Sequence, residues 1–533
     1  MVILFLLEYI RYKKMKIIKR PKLINSRSNL LLIGILLLAF LFRFYNLQNF
    51  LHFGIDQEYE ALVVKNIITG KHFPLIGVNA SDTGLYLGPA FLYFAAIPFF
   101  LSGGNPIGWG MTASFIGVLT VYFVYRLGRE MFSEKTGIFA SLLYACSFLV
   151  SFYDRRFWNP SPIPLLSILI GFLLFKIINK DRKSLLILAV VFGFGIQAHL
   201  QLMILLPLII WVVWKRKRML SRRLIFYSLL LFFLLQMPYI FFELRHNFLN
   251  TQAAINLVLN RTKTYNQSTL LERNASFLST LGRFFWIPFK PDLFLESGQC
   301  KELAYLRKNA YPEGILLVVV GIFIFFLRYR SKNKLTLSSK LILSIFLLTF
   351  LFVEFYQRSF FEYYLLFFFP WLAVALGRSL DYIWEKEHGE IIVIPTISLF
   401  IILNLITLFS AYSSYPYIDK MKAFRFIKKY VSHGNYRVEA LGDCTRFGGY
   451  RYLSEYFVGK PAHSYMDSYF AWLYQDDPVD SKRTENLALF SMIDPRGNTE
   501  EIKRLEEQKI KILMENKLSD EKKFGNIQVF IFK

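Results

Sequence analysis

What most limits this chain is a recurrence of apolar runs, each roughly 17 to 20 residues long, with Lys/Arg clusters between them. A helical run of that length matches the hydrocarbon thickness of a bilayer, and a helix satisfies its own backbone groups where no water can. Of the 533 residues, 54% are hydrophobic; a soluble chain of this size would divide into several domains and carry far more charge. The 56 Phe and 31 Tyr suit lipid-facing and interfacial positions. The fold class is therefore a polytopic α-helical membrane protein. The formal net charge of +25 invites a nucleic-acid partner. That reading is rejected, because the basic clusters sit in short loops between apolar runs, where membrane orientation explains them. Cys146, Cys300 and Cys444 show neither metal-ligand spacing nor a disulfide framework.

The basic block from Arg11 to Lys22 precedes the first span, so residues 1–29 are expected in the cytoplasm and the loop 51–106 outside. The apolar run at the N-terminus is too short to span and lacks the charged-first order of a signal peptide. Translation from Met1 and from Met15 are both open. About eleven spans follow, at 30–50, 107–125, 137–152, 164–178, 185–198, 200–214, 224–242, 314–327, 341–355, 365–380 and 391–411. The stretch 86–101 is read as an outer juxtamembrane piece. It is broken by Gly88-Pro89 and Pro98, and letting it cross would put Arg126, Arg129 and Lys135 outside. In the outer loop 243–311, AINLVLN and TLGRFFW read as amphipathic surface pieces. The tail 412–533 has more charge and no long apolar run. FRFIKKYV and TEEIKRLEEQ read as helices, and RVEALGD, LALFSMID and NIQVFIFK as strands, which predicts a small α/β domain outside the membrane.

With this topology the polar clusters share one face. Asp56, Glu58, Glu60, His72 and Asp82 lie in the first loop, and Asp154, Arg155, Arg156, Trp158 and Asn159 follow the third span. Gln197 and His199 cap the fifth, Glu243, Arg245 and His246 end the seventh, and Arg358, Glu362, Tyr363 and Tyr364 sit before the tenth. Singly, each has a plain explanation: His199 as a satisfied helix end, Tyr363 and Tyr364 as an aromatic belt, the arginines on lipid phosphates. Together they suit sugar transfer from a lipid phosphate. A carboxylate serves as base toward an acceptor hydroxyl, cations meet the leaving phosphate, and aromatics hold sugar and lipid.

The pieces GIDQEYEA, GLYLGPAFLY, VYRLGREMFSEKTGIFASLLYACSF, RRFWNPSPIPLL, GFGIQAHLQLMILLP and FELRHNFLNT run in this order through roughly residues 30 to 410. In order and spacing the chain resembles the membrane glycosyltransferases of the GT-C fold. Specifically, it resembles the family 39-like group of protein O-mannosyltransferases and lipid A aminoarabinose transferases. The resemblance implies a transmembrane catalytic domain over 30–411, a polyprenyl-phosphate sugar donor and inversion at the anomeric carbon. Some GT-C enzymes require a divalent metal; this group generally does not, and no metal-ligand spacing stands out here. The resemblance implies an Asp after the first span as catalytic base, and Asp56 matches it. The second acid of the family's pair is Gln57 here, so Glu58 is assigned beside Asp56. GLYLGP lacks the Lys that contacts donor phosphate in the aminoarabinose transferases. That contact falls to Arg156, His199, Arg245 and His246, each at the outer end of a span. Asn159 stands where the second loop carries another acid, with Asp154 close by; with Asp82, Tyr363 and Tyr364 they are expected on the substrate. The acceptor (protein, lipid or glycan) is open.

Two other classes compete: a transporter or flippase of lipid-linked saccharides, and a noncatalytic envelope assembly protein. A transporter predicts charges deep within spans and two related halves, whereas here the polar groups are read at span ends. The orientation is directly testable. A cysteine at Ser481 should react with a membrane-impermeant reagent in intact cells, and labelling only after lysis would overturn the topology.

Overall fold

The computed structural model describes residues 26–80, 83–259, 268–287, 290–293, 312–330, 336–356, 360–431, 433–442, 445, 448–470, 473, 486–493 and 499–533. Each of the eleven expected runs is helical. Pro106–Met131, Arg222–Arg245, Leu337–Phe355 and Glu390–Ser410 are each long and apolar enough to cross a bilayer. A fifth crossing arises if the bent pair Glu134–Cys146 and Phe148–Asp154 is one span. The remaining runs form the helices Ser26–Phe44, Ile163–Ile178, Ser184–Ala198, Leu206–Lys215, Pro312–Arg330 and Phe369–Trp384. The stretch read as juxtamembrane forms Ala90–Leu101, with Pro98 inside it. At 1.5 Å per residue this helix is about 18 Å long, well short of a hydrocarbon core of about 30 Å.

Two outer segments differ from expectation. The stretch after the first span, read as a loop, contains a 14-residue helix, Ile55–Ile68. The TLGRFFW piece, expected on the surface, belongs to the helix Leu270–Phe285, whose last two turns are buried. Arg283 draws it inward by pairing with the buried Glu362 at 2.8 Å. Tyr153 donates to the other oxygen of that carboxylate at 2.9 Å.

The bend of 67° between Glu134–Cys146 and Phe148–Asp154 sets the geometry of the outer face. Ser147 is extended there, with φ −62° and ψ 118°. A break in an apolar environment needs substitute partners for the freed backbone groups. Asn404 Oδ1 accepts the Phe148 N–H at 2.8 Å, and Ser147 Oγ donates to the Phe284 carbonyl at 2.7 Å.

The bent piece ends in Asp154, Arg155 and Arg156, all buried. Asp154, expected at the substrate, instead pairs with Arg43 of the first helix, which meets its Oδ2 through Nη2 at 2.7 Å and Nε at 2.9 Å. Arg43 also donates to the Ala145 carbonyl at 3.0 Å. Gly117 leaves room for the pair: a Cβ there would lie 2.6 Å from both Arg43 Nε and Asp154 Oδ2. Arg155 donates to the Phe42 carbonyl.

The tail is an α/β unit with a five-stranded sheet, ordered β2-β1-β3-β5-β4. The strands are β1 (Tyr436–Gly442), β2 (His463–Ser464), β3 (Asn486–Met492), β4 (Leu518–Phe524) and β5 (Ile527–Phe532). β1 lies parallel to β2 and β3, and β5 antiparallel to β3 and β4. Successive strand residues point to opposite faces. Ala488, Phe490, Val529 and Ile531 face the main core, whereas Leu487, Leu489, Phe530 and Phe532 face Ile512 and Leu513 of the helix Thr499–Glu515. The three sequence-predicted strands form as expected, whereas the expected helix FRFIKKYV is only the end of a helix that starts earlier, Tyr417–Ile427. Strand β4, LSDEKKF, was not foreseen: it is an exposed, charged edge, the usual protection against edge-to-edge pairing.

The Arg43–Asp154 pair generates a stability prediction. Arg43→Ala leaves a buried carboxylate unpaired, a change that typically costs about 3 to 5 kcal/mol. Thermal unfolding in detergent should show a lowered midpoint, and the double replacement Arg43→Met with Asp154→Leu should recover most of it. An unchanged midpoint for Arg43→Ala would show that the pair does not hold the bend.

Candidate functional site

The site is built on the helix Ile55–Ile68. Its start is fixed by Gln57, whose Oε1 accepts the Gly54 N–H at 3.0 Å. A residue advances about 100° around a helix, so Asp56 and Glu60 share a face while Glu58 points the other way. Asp56 and Glu60 meet the turn that follows the bent span. Arg156 Nη2 pairs with Asp56 Oδ2 at 3.2 Å; the arginine side chain is 4% exposed and the aspartate 43%. The guanidinium also lies over the Trp158 ring, 3.7 Å from its centroid. Asn159 donates its backbone N–H to Glu60 Oε1 at 3.0 Å and its Nδ2 to the Ala198 carbonyl at 2.9 Å. The aromatic wall continues from Trp158 to Tyr363 (4.8 Å between centroids) and Tyr364 (4.5 Å from Tyr363). His199 stands about equally far from both tyrosine rings, at 6.0 and 6.1 Å. Its Nδ1 accepts the Gln201 N–H at 3.3 Å, which places its proton on Nε2 when the ring is neutral.

The structure thus gathers Asp56, Arg156, Asn159, His199, Tyr363 and Tyr364 from four separated segments. Glu60 and Trp158 join them. Neither was assigned a role from the sequence, although the Asp-x-x-x-Glu spacing of Asp56 and Glu60 was readable once the segment is taken as helical. Burial, and then the neighbouring Asp56, push the Glu60 carboxyl well above the usual range, against the pull of the Asn159 N–H and Arg156.

Other expected site residues lie elsewhere. Glu58 is fully buried against the tail, accepting the Tyr452 N–H at 2.8 Å. Burial pushes its carboxyl up to about 7, opposed by that N–H, Arg451 and Lys420. Asp154 is held by Arg43, as described. Arg245 and His246 are exposed at the end of Arg222–Arg245. His246 stacks on Phe242 at 4.1 Å, and its Nδ1 lies 2.9 Å from the Phe242 carbonyl. Asp82 and Arg358 lie outside the described residues. Glu243 caps the helix Leu249–Val258 through the N–H groups of Asn250 and Thr251. Among the described residues no three His, Cys, Asp or Glu side chains are grouped to hold a metal.

Chemically, the cluster offers one half-open carboxylate beside a cation whose plane is fixed by an indole. Buried amide and aromatic groups surround it. That arrangement suits proton acceptance next to a developing anion.

Comparison with known proteins gives the cluster its context. Residues 87–242 match the family described as dolichyl-phosphate-mannose-protein mannosyltransferase. No curated protein sequence matches the chain significantly. Among solved structures, ArnT from Cupriavidus metallidurans bound to undecaprenyl phosphate superposes with a TM-score of 0.58 at 10% identity, covering 94% of this chain and 97% of that one. Its apo form gives 0.56 at 9% identity, over 95% and 98%. The Archaeoglobus fulgidus oligosaccharyltransferase gives 0.51 at 14% identity, over 86% of this chain and 67% of that one. The family model matches the centre of the chain, residues 87–242, and nearly the whole chain shares the GT-C fold of these structures.

Proposed function

We propose that the protein transfers a sugar from a polyprenyl-phosphate carrier to an acceptor hydroxyl on the outer side of the membrane, with Asp56 as general base. The observation that carries this reading is the Asp56–Arg156 pair. Asp56 is half open, while its cationic partner is buried and stacked on Trp158. An ionised Asp56 takes the proton of the acceptor hydroxyl as that oxygen attacks the anomeric carbon. The bond from that carbon to the carrier phosphate breaks, and polyprenyl phosphate leaves with the bonding pair. Arg156 offsets the negative charge on the leaving phosphate, an interaction that gains strength where water is excluded. Tyr363, Tyr364 and Trp158 flank the sugar, and Asn159 and His199 complete the wall. The fold relation to a protein solved with undecaprenyl phosphate supports a carrier of that chemical kind.

Two measurements check this reading in purified protein supplied with a panel of polyprenyl-phosphate sugars and acceptors. Base catalysis by a positioned side chain is worth on the order of 10² to 10⁴ in rate. Asp56→Asn should therefore bind donor and lose turnover by about that factor, and near wild-type turnover would show that the base lies elsewhere. For the donor, Arg156→Ala should remove charge-assisted contacts worth about 1.5 to 3 kcal/mol. Arg245→Ala, at the exposed helix end, should change donor affinity much less. The reverse ranking would move the phosphate site to Arg245 and His246.

A further inference from the structure

Glu60 is the least accessible acid of the cluster. Its relative exposure is 0%, and it sits one helical turn beyond Asp56. Oε1 accepts the Asn159 N–H at 3.0 Å, while Oε2 is buried and meets no donor among the described residues. The groups facing it are Asp56, Arg156 and the phenol of Tyr59. An ionised carboxylate here would leave one oxygen unsolvated, a costly state in a dry interior. It would also stand a turn away from a second negative charge, with Arg156 already paired to Asp56.

Building on the proposed role of Asp56, we infer that Glu60 is a positioning residue that works as a neutral acid. Its Oε1 fixes the Asn159 backbone, and with it the run Arg156–Asn159 that carries the guanidinium and the indole. Its neutrality leaves Asp56 as the single negative charge that Arg156 balances. Asn159 relays the constraint to the Ala198 carbonyl, next to His199. The fully buried acid therefore sets the spacing of three catalytic-face segments without touching substrate.

The test uses the purified full chain with Glu60→Gln and Glu60→Ala, and Asp56→Asn as reference. Glutamine keeps a neutral acceptor at Oε1; alanine removes it. Misplacing a catalytic group by about 1 Å costs on the order of 10²-fold. Glu60→Ala should show a loss of that size in kcat/KM, Glu60→Gln should regain most of it, and the pH profile of Glu60→Gln should keep the wild-type limbs. If Glu60→Gln falls as far as Glu60→Ala, an ionised carboxylate is needed and the inference is overturned. Wild-type activity in Glu60→Ala would overturn it as well. Should Glu60→Ala fail to fold, difference infrared spectroscopy decides: a protonated carboxyl band present at neutral pH in wild type should vanish in Glu60→Gln. Absence of that band from wild type overturns the inference. The infrared result does not depend on sugar transfer, so it separates failure of this inference from failure of the proposed function.

Discussion

Three consecutive charged residues, Asp154, Arg155 and Arg156, hold the face that carries the polar cluster together by reaching three different partners. Asp154 grips Arg43 in the first helix, Arg155 grips the Phe42 carbonyl one residue earlier, and Arg156 reaches Asp56. Buried charges near a bilayer persist only when each finds a partner. Here every partner is also a fastening. The first helix cannot rotate without exposing Arg43, and the bent span cannot straighten without withdrawing Arg156 from Asp56. The break at Ser147 is what allows this, and Asn404, from the last long helix, keeps it satisfied.

The helix Ile55–Ile68 is pinned on its two faces by different parts of the chain. One face holds Asp56 and Glu60 against the turn 156–159. The other sets Glu58 on the Tyr452 N–H and pairs Lys65 with Glu455, both in the helix Tyr450–Phe457. Lys420, also buried, donates to the carbonyls of Phe53 and Gly448, so it joins the segment before this helix to the tail. Burial lowers the Lys420 ammonium to about 8 while Glu58 pulls the other way. The tail therefore serves as a backing for the helix that carries Asp56. Glu58, the neighbour of Asp56 in sequence, acts in that backing rather than at the reaction face.

The membrane helices were legible because the bilayer imposes a one-dimensional rule: apolar length and flanking charge are visible in the sequence itself. The α/β tail was legible for a similar reason, since Leu487 to Phe490 and Ile527 to Phe532 are short apolar runs bounded by polar residues. Strand β4 was hidden because an edge strand can be stabilised by its ladder to β5 alone and needs no apolar pattern. The site was only half legible. Asp56 and Arg156 were named, but nothing local shows that Asp154 belongs to Arg43, a residue 111 positions away. Glu58 enters the sequence reading because the resemblance calls for a second acid and Gln57 holds its place, but the segment is a helix, where Glu60, four residues on, shares the face of Asp56. Arg245 and His246 are expected at the phosphate because each ends a span, and the structure shows both exposed.

The arrangement also bears on why the site can be both mostly buried and accessible. Its members come from residues 56–60, 156–159, 199 and 363–364, and two of the joints between them run through backbone atoms: the Asn159 N–H to Glu60, its amide to the Ala198 carbonyl. Backbone joints hold the side chains in place without consuming the functional groups that must face a ligand. Arg156 is fixed in plane by Trp158 and along its length by burial, so little reorganisation is needed when charge develops beside it. What is left open is the Asp56 carboxylate, 43% exposed where its partner is 4%. Under the proposed function, an acceptor would approach Asp56 while the cation stays shielded from water, and that asymmetry is what a transfer reaction has to keep if the sugar is not to be lost to hydrolysis.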